Sequence, residues 1–377
     1  MSKPFFSIIL PTKNRPVLLR DAIRSVLSQN FDDYELIVSD NFNDETTKKA
    51  VEEFKKDSHL IYIRTDRELN IPDHWEFAGK RANGIYTLIL TDRAFLKQGA
   101  LQDIYDTIKG SKDQAVIFWK YGYFDEERGV LESEKEEAGL KILNSTDLLK
   151  DFGRTLDAHF LPRPHVGCYR EDLIEKIRRD VGRLYLPYGP DFTSSLLVLS
   201  YSENVVFIPR PLVFFQGATL SAGTKAQSSI VTYLNSLNLH DPYKYVPIKA
   251  PINGNLIFND FLKIRDIAGR NFRDISVNWS FYFNKCYQEL REKGIIWKVN
   301  KETLADFWKE WTKALLSFDE ETQTAVKKNF LRTWISVLKS FLKATPVGNI
   351  LVKIKRAISG KPTFHYSSAL EAGGFIT

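Results

Sequence analysis

Three short apolar runs in the first 92 residues each end in a polar cluster. Phe5–Leu10 leads into Pro11-Thr12-Lys13-Asn14-Arg15, Glu35–Val38 into Ser39-Asp40-Asn41, and Tyr86–Leu90 into Thr91-Asp92-Arg93. Runs of this length with polar ends read as buried strands. Helical spacing fills the gaps. After Pro16 the apolar positions are Leu18, Leu19, Ala22, Ile23, Val26 and Leu27, and the pattern stops at Ser28-Gln29-Asn30. A second helix has Asn43 or Asp44 as its cap, Glu45 in its first turn, and Ala50, Val51 and Phe54 as its apolar stripe. Leu60–Ile63 gives a further strand. Strands separated by helices lie parallel, with their carboxyl ends on the common edge where open α/β sheets bind ligands. That edge suits a nucleotide-sized site.

Farther along, Ala115–Trp119 reads as a strand and Thr146–Phe152 as a short helix capped by Ser145 or Thr146. Leu196-Leu197-Val198-Leu199 lies within another helix, and Val205–Phe215 closes the sheet. Residues 217–259 read as a loop-rich connector. From about residue 260 the pattern is helical, through Phe261, Leu262, Ile264 and Ile267, Trp279–Leu290, Leu304–Leu316 and Val326–Leu342. The expected organisation is an α/β domain over 1–216, the connector 217–259 and a helical module over 260–377.

The run Phe6-Ser7-Ile8-Ile9-Leu10-Pro11-Thr12-Lys13-Asn14-Arg15, the aspartate of Ser39-Asp40-Asn41, and Asn70 with Trp75 and Gly84-Ile85-Tyr86 before Leu88-Ile89-Leu90-Thr91-Asp92 form an ordered set. This set resembles the nucleotide-binding half of family 2 glycosyltransferases, over roughly the first 220 residues. The resemblance implies the GT-A fold, a Rossmann-like and mostly parallel sheet flanked by helices. It also implies a nucleoside-diphosphate-sugar donor carrying UDP or GDP, held by Pro11, Thr12, Asn14, Arg15, Asp40, Asn70 and Asp92. Asp40 would accept from the N–H edge of the base, as a carboxylate can. Its sequence context equally fits a turn aspartate bonded to its own backbone.

Members of the family carry two or three aspartates after the third of these strands, the last binding a divalent cation at the diphosphate. Asp92, Arg93 and Ala94 stand there. Alanine offers no ligand, which disfavours Mg²⁺ or Mn²⁺, and Arg93 brings a fixed cation that suits a phosphate. The readings are a metal-independent transferase with Arg93 in the catalytic set, a catalytically inactive sugar-nucleotide-binding or scaffold subunit, or a register one residue off in which Arg93 only pairs with a surface carboxylate. The resemblance further assigns Asp191 of Tyr188-Gly189-Pro190-Asp191-Phe192 as general base for an inverting transfer; an ordinary helix N-cap is the other reading of that residue. His165 would contact donor phosphate or serve as a hydrogen-bonded structural residue. Where the family carries a charged lid, this chain has Gln216-Gly217-Ala218-Thr219-Leu220-Ser221, leaving Ser221 and Lys225 as lid contacts.

Composition narrows the class. With 43% hydrophobic and 27% charged residues among 377, the chain is that of a globular protein large enough for two domains. Its two cysteines, Cys168 and Cys286, lack metal or redox spacing. No run matches a signal-peptide core or membrane span, so a cytoplasmic protein is expected. Net charge is +6, yet nine basic and no acidic residues fall between Lys327 and Lys361, so the rest of the chain is acidic. Interleaved Phe330, Leu331, Trp334, Ile335 and Leu338 make 327–361 a basic amphipathic segment, which reads either as a contact with an anionic membrane or as a packed helix with a solvated basic face. No nucleic-acid-binding motif accompanies the charge. The expected activity is sugar transfer onto a glycan or lipid-linked hydroxyl in cell-surface glycoconjugate assembly, by a protein peripheral to the inner face of the membrane.

Overall fold

A computed structural model describes residues 3–42, 45–125, 127–156, 159–216, 230–268, 272, 275–295 and 301–328. The chain begins β1 (Phe6–Thr12), α1 (Pro16–Leu27), β2 (Tyr34–Asp40), α2 (Glu45–Glu52), β3 (Leu60–Arg64), α3 (Ile71–Gly79) and β4 (Tyr86–Ile89). It continues with β5 (Ala94–Leu96), α4 (Ala100–Gly110), β6 (Val116–Asp125), β7 (Val130–Ser133), β8 (Lys141–Asn144) and α5 (Ser145–Thr155). Next come β9 (Gly167–Arg170), α6 (Glu171–Val181), α7 (Pro190–Tyr201) and β10 (Asn204–Phe215). The later helices are α8 (Ile230–Ser236), α9 (Asn253–Ile267), α10 (Trp279–Ile295) and α11 (Lys301–Leu316).

The sheet runs β3-β2-β1-β4-β9-β6-β10-β5, with β7 on β6 and β8 on β10. Its first four strands are mutually parallel, as the strand–helix alternation requires. Thr12 lies opposite Asp40 in that register, so the polar ends of β1 and β2 meet at one edge. Antiparallel β9 then joins β4 to β6.

Side-chain alternation divides the core. Phe6, Ile8 and Leu10 face one apolar layer with Leu36, Val38, Leu88 and the buried face of α1. Ile9, Ile89, Phe118 and Phe207 face the other, where α7 packs. Phe258, Phe261, Tyr282 and Phe283 of α9 and α10 belong to this same second layer, so the late helices extend the sheet's own core.

Several differences from the sequence pattern have local causes. Asn144, rather than Ser145 or Thr146, caps α5, because its side chain accepts from the Asp147 amide at 3.2 Å. Asn43 and Asp44 lie outside the described residues. β6 extends beyond Trp119 to Asp125 through paired contacts with β7 and β10. Residues 217–259, expected to be a loop-rich connector, contain α8 and the start of α9. The first amides of α9, Asn253 and Gly254, are held by the Glu289 carboxylate of α10 at 2.5 and 2.9 Å, a tertiary cap that no local pattern announces. Of the helix expected over Val326–Leu342, only the residues up to 328 are described. Among the described residues no helix is long and apolar enough to cross a membrane.

Candidate active site

A cavity of about 690 Å³ opens at the carboxyl ends of β1 and β4. Pro11, Thr12, Lys13, Asn14 and Arg15 form one wall; Asn41, His74, Trp75 and Asp92 are among the other lining residues. Asn14 has φ 58°, the left-handed region that asparagine tolerates better than most residues, which lets the chain turn sharply around the opening. At its floor Asp92 is 4% exposed. The Thr12 hydroxyl donates to one carboxylate oxygen at 3.0 Å, and Arg15 Nη1 donates to the other at 2.9 Å. Burial raises the Asp92 carboxyl above its ordinary value, while Arg15, Thr12 and the Lys13 amide pull it down.

Asp40 lies one layer behind. It is fully buried and outside the cavity lining, and its Oδ2 accepts the Tyr62 hydroxyl at 2.8 Å. Burial first, then donation to Asp40, pushes the Tyr62 phenol up. The neighbouring Asn41 is the residue that reaches the cavity, with its amide exchanging two hydrogen bonds with the Leu69 backbone. Asn70 caps α3, accepting from the Asp73 amide at 2.9 Å and donating to the Asp73 carboxylate. That cap starts the helix that carries His74 and Trp75 into the lining. His74 was not among the sequence candidates. It shares a 2.9 Å hydrogen bond with the Ser39 hydroxyl, and burial lowers its pKa to about 4, so the ring is neutral.

The remaining candidates gather beyond Asp92, where β5 begins and β10 ends. Arg93 lies 4.9 Å over the Phe215 ring and donates to the Gln216 carbonyl at 3.2 Å. It is not among the residues that line the cavity. Arg163 lies 5.4 Å over Tyr121, and its Nε is buried with no hydrogen-bond partner among the described residues. His165 meets the Phe215 ring edge-on at 5.6 Å, and its Nδ1 is likewise buried and unpartnered. Burial, then the charges of Arg163 and Arg93, hold this histidine well below its ordinary pKa. The protonated ring is therefore disfavoured.

Asp191 sits in the first turn of α7, half-buried. Burial raises its carboxyl; the Arg163 charge and the amides of Asp191 and Phe192 oppose the rise. Arg163 thus acts on both His165 and Asp191 and ties the two sequence candidates together. It was missed because Pro162-Arg163-Pro164 has no local periodicity, and its partner Tyr121 is distant in sequence. Ser221 and Lys225 lie outside the described residues.

At the strand end expected to meet a divalent cation, Ala94 supplies no ligand atom and Asp92 is the one carboxylate. Both oxygens of Asp92 are engaged, and Ala94 is buried on β5. Among the described residues no three His, Cys, Asp or Glu side chains gather as a metal site.

A parallel half-sheet with a polar cavity at its carboxyl edge, continued by a mixed half, is the arrangement that the resemblance to the GT-A fold leads one to expect. The family model described as "Glycosyl transferase family 2" matches residues 7–175. A GalNAc(5)-diNAcBac-PP-undecaprenol beta-1,3-glucosyltransferase of Campylobacter jejuni is 34% identical over 238 residues, which are 61% of this chain and 72% of the relative. The chain belongs to glycosyl transferase family 2. Among solved structures, S. aureus TarS 1–349 in complex with UDP-GlcNAc superposes with a TM-score of 0.52 at 14% identity, covering 85% of this chain and 84% of TarS 1–349. That likeness concerns the fold.

Proposed function

We propose that this glycosyltransferase moves a sugar from a nucleoside-diphosphate sugar onto a hydroxyl of a glycan borne by a lipid diphosphate. The observation that carries the reading is the cavity at the β1 and β4 ends, large enough for a nucleotide, with Asp92 clamped at its floor by Arg15 and Thr12. The relative's acceptor, an undecaprenyl-diphosphate glycan, supports the acceptor class.

The nucleoside occupies the cavity, with Asp40 behind Asn41 setting the polarity at the base end. Asp191 takes the proton as the acceptor hydroxyl attacks the anomeric carbon, and the bond to the diphosphate breaks on the opposite face, inverting the centre. A general base gains strength from a carboxyl raised above its ordinary value, and burial raises this one against the pull of Arg163. The charge that develops on the leaving diphosphate is met by Arg93 and Arg163, two fixed cations. The basic segment 327–361, which apart from Lys327 and Lys328 lies outside the described residues, places the enzyme at the anionic surface where such an acceptor resides.

Calorimetric titration with UDP, GDP and CMP, with and without Mn²⁺ or excess chelator, tests the donor reading. One nucleotide should bind regardless of chelator. Binding that requires Mn²⁺, or no binding by any of the three, would contradict it.

A further inference from the structure

We propose that Asp260, on α9, is a positioning residue for the candidate base Asp191, so that the late helices form part of the catalytic apparatus. The inference rests on the reading of Asp191 as base. Its foundation is the way the segment leading into α7 is held. The Thr193 hydroxyl accepts from the Leu186 amide at 3.2 Å and donates to the Leu186 carbonyl at 3.0 Å. Lys263 Nζ donates to the Pro187 carbonyl at 3.2 Å. The Tyr188 amide donates to Asp260 Oδ1 at 3.0 Å and the Gly189 amide to Oδ2 at 2.8 Å. Tyr233 on α8 donates its hydroxyl to the Tyr188 carbonyl at 2.8 Å, and the Tyr188 hydroxyl donates to Asn253 Oδ1 at 2.9 Å. Four consecutive residues are therefore fixed from outside their own loop, three of them by α8 and α9. Asp191 follows two residues after the last.

The chemistry at Asp260 exceeds what packing requires. Burying a carboxylate at 1% exposure is costly, and here it is held in place by the two amides that it alone accepts from at this point of the chain. Only an ionised carboxylate offers an acceptor to both amides at once, since asparagine would turn an N–H toward one of them. Burial, the dominant cause, together with the Asp191 charge, pushes Asp260 up to about 7, against the pull of the Gly189 and Tyr188 amides and Lys263. Lys263 is itself lowered, by burial first and then by Arg183. The groups facing Asp260 are thus Tyr188, Asp191, Tyr233 and Lys263, with Arg183 beyond the lysine and Glu289 beyond Tyr188.

The sign follows. Above about pH 7 the carboxylate is ionised and grips both amides; as pH falls through about 7 a proton occupies one oxygen and the grip on the base segment weakens. Turnover should therefore lose a limb near pH 7. Folding stability runs the other way. The native state binds the proton more tightly than the unfolded chain, so this group's contribution declines as pH rises from 3.8 to about 7. A purely structural residue would tie activity and stability to pH in the same direction.

The test uses the full chain, with UDP affinity by calorimetry and turnover across pH 5.5–9. Asp260→Asn should lower turnover by about 10–100-fold, the cost of misplacing a reacting group. UDP affinity should stay at the wild-type value, and the part of the limb near pH 7 that Asp260 contributes should disappear, leaving the one set by Asp191 itself. Tyr233→Phe removes one hydroxyl from the same segment; it should lower turnover several-fold and keep the limb. A folded Asp260→Asn protein with wild-type turnover and limb overturns the proposal. If that variant fails to fold, wild-type turnover in Tyr233→Phe overturns it. Full activity in Asp191→Asn would instead remove the base reading itself, whereas loss there with full activity in both other variants removes the positioning role alone.

Discussion

Arg163 faces two groups with opposite needs. Its charge disfavours protonated His165 and favours ionised Asp191, both of which suit a site that accepts a proton from a hydroxyl and holds an anion beside it. Its guanidinium is seated on Tyr121 and is oriented before any substrate arrives. Arg163→Ala should reduce turnover by about 10²–10³-fold, as loss of one preorganised charge donor does. UDP affinity should change only a few-fold, because Arg163 lies outside the cavity lining. Transfer at the wild-type rate in this variant would remove Arg163 from the reaction. The polar clusters that hold Thr12, Arg15 and Asp92 were legible because each ends an apolar run, and the register of the parallel strands brings them to one edge; the resemblance singled out these residues within them. Arg163 and Asp260 were not, since their roles come from contacts between segments dozens of residues apart. Asp40 was legible by position, yet its burial behind Asn41 and its bond to Tyr62 are tertiary facts.

The early elements were readable from two signals, the short apolar runs of β1, β2 and β4, which are buried throughout, and the helical stripe of α1. Short strands are harder. β5, β7 and β8 have three or four residues each, too few for a period to show, and they exist through pairing with β6 and β10. Gly84 illustrates a contact visible only in space. A Cβ there would meet the Ser7 backbone nitrogen at 2.5 Å, and the Gly84 amide donates to the buried Ser7 hydroxyl at 2.7 Å. The Gly-Ile-Tyr motif before β4 thus reflects how closely its turn packs against β1. The boundary placed near residue 260 missed the start of α9, because the cap at that helix's beginning comes from Glu289 in another helix.

At the scale of the whole molecule, the α/β part and helices α9 to α11 share one apolar layer. Val326, near the end of the described chain, is 1% exposed within it. Truncation after Lys328 should therefore spare the fold and UDP binding while removing most of the basic segment. The shortened protein should leave anionic phosphatidylglycerol vesicles in a co-sedimentation assay, and added salt should weaken the full-length interaction. Equal partitioning of both forms would assign the segment to packing. The central claim remains that an acceptor hydroxyl attacks a nucleotide-activated sugar with Asp191 taking its proton. Its most direct measurement is transfer from the nucleotide-sugar donor to a polyprenyl-diphosphate glycan by Asp191→Asn, with UDP affinity determined on the same preparation. The account predicts a rate about 10²–10⁴-fold below wild type at unchanged affinity; transfer by that variant at the wild-type rate would contradict it.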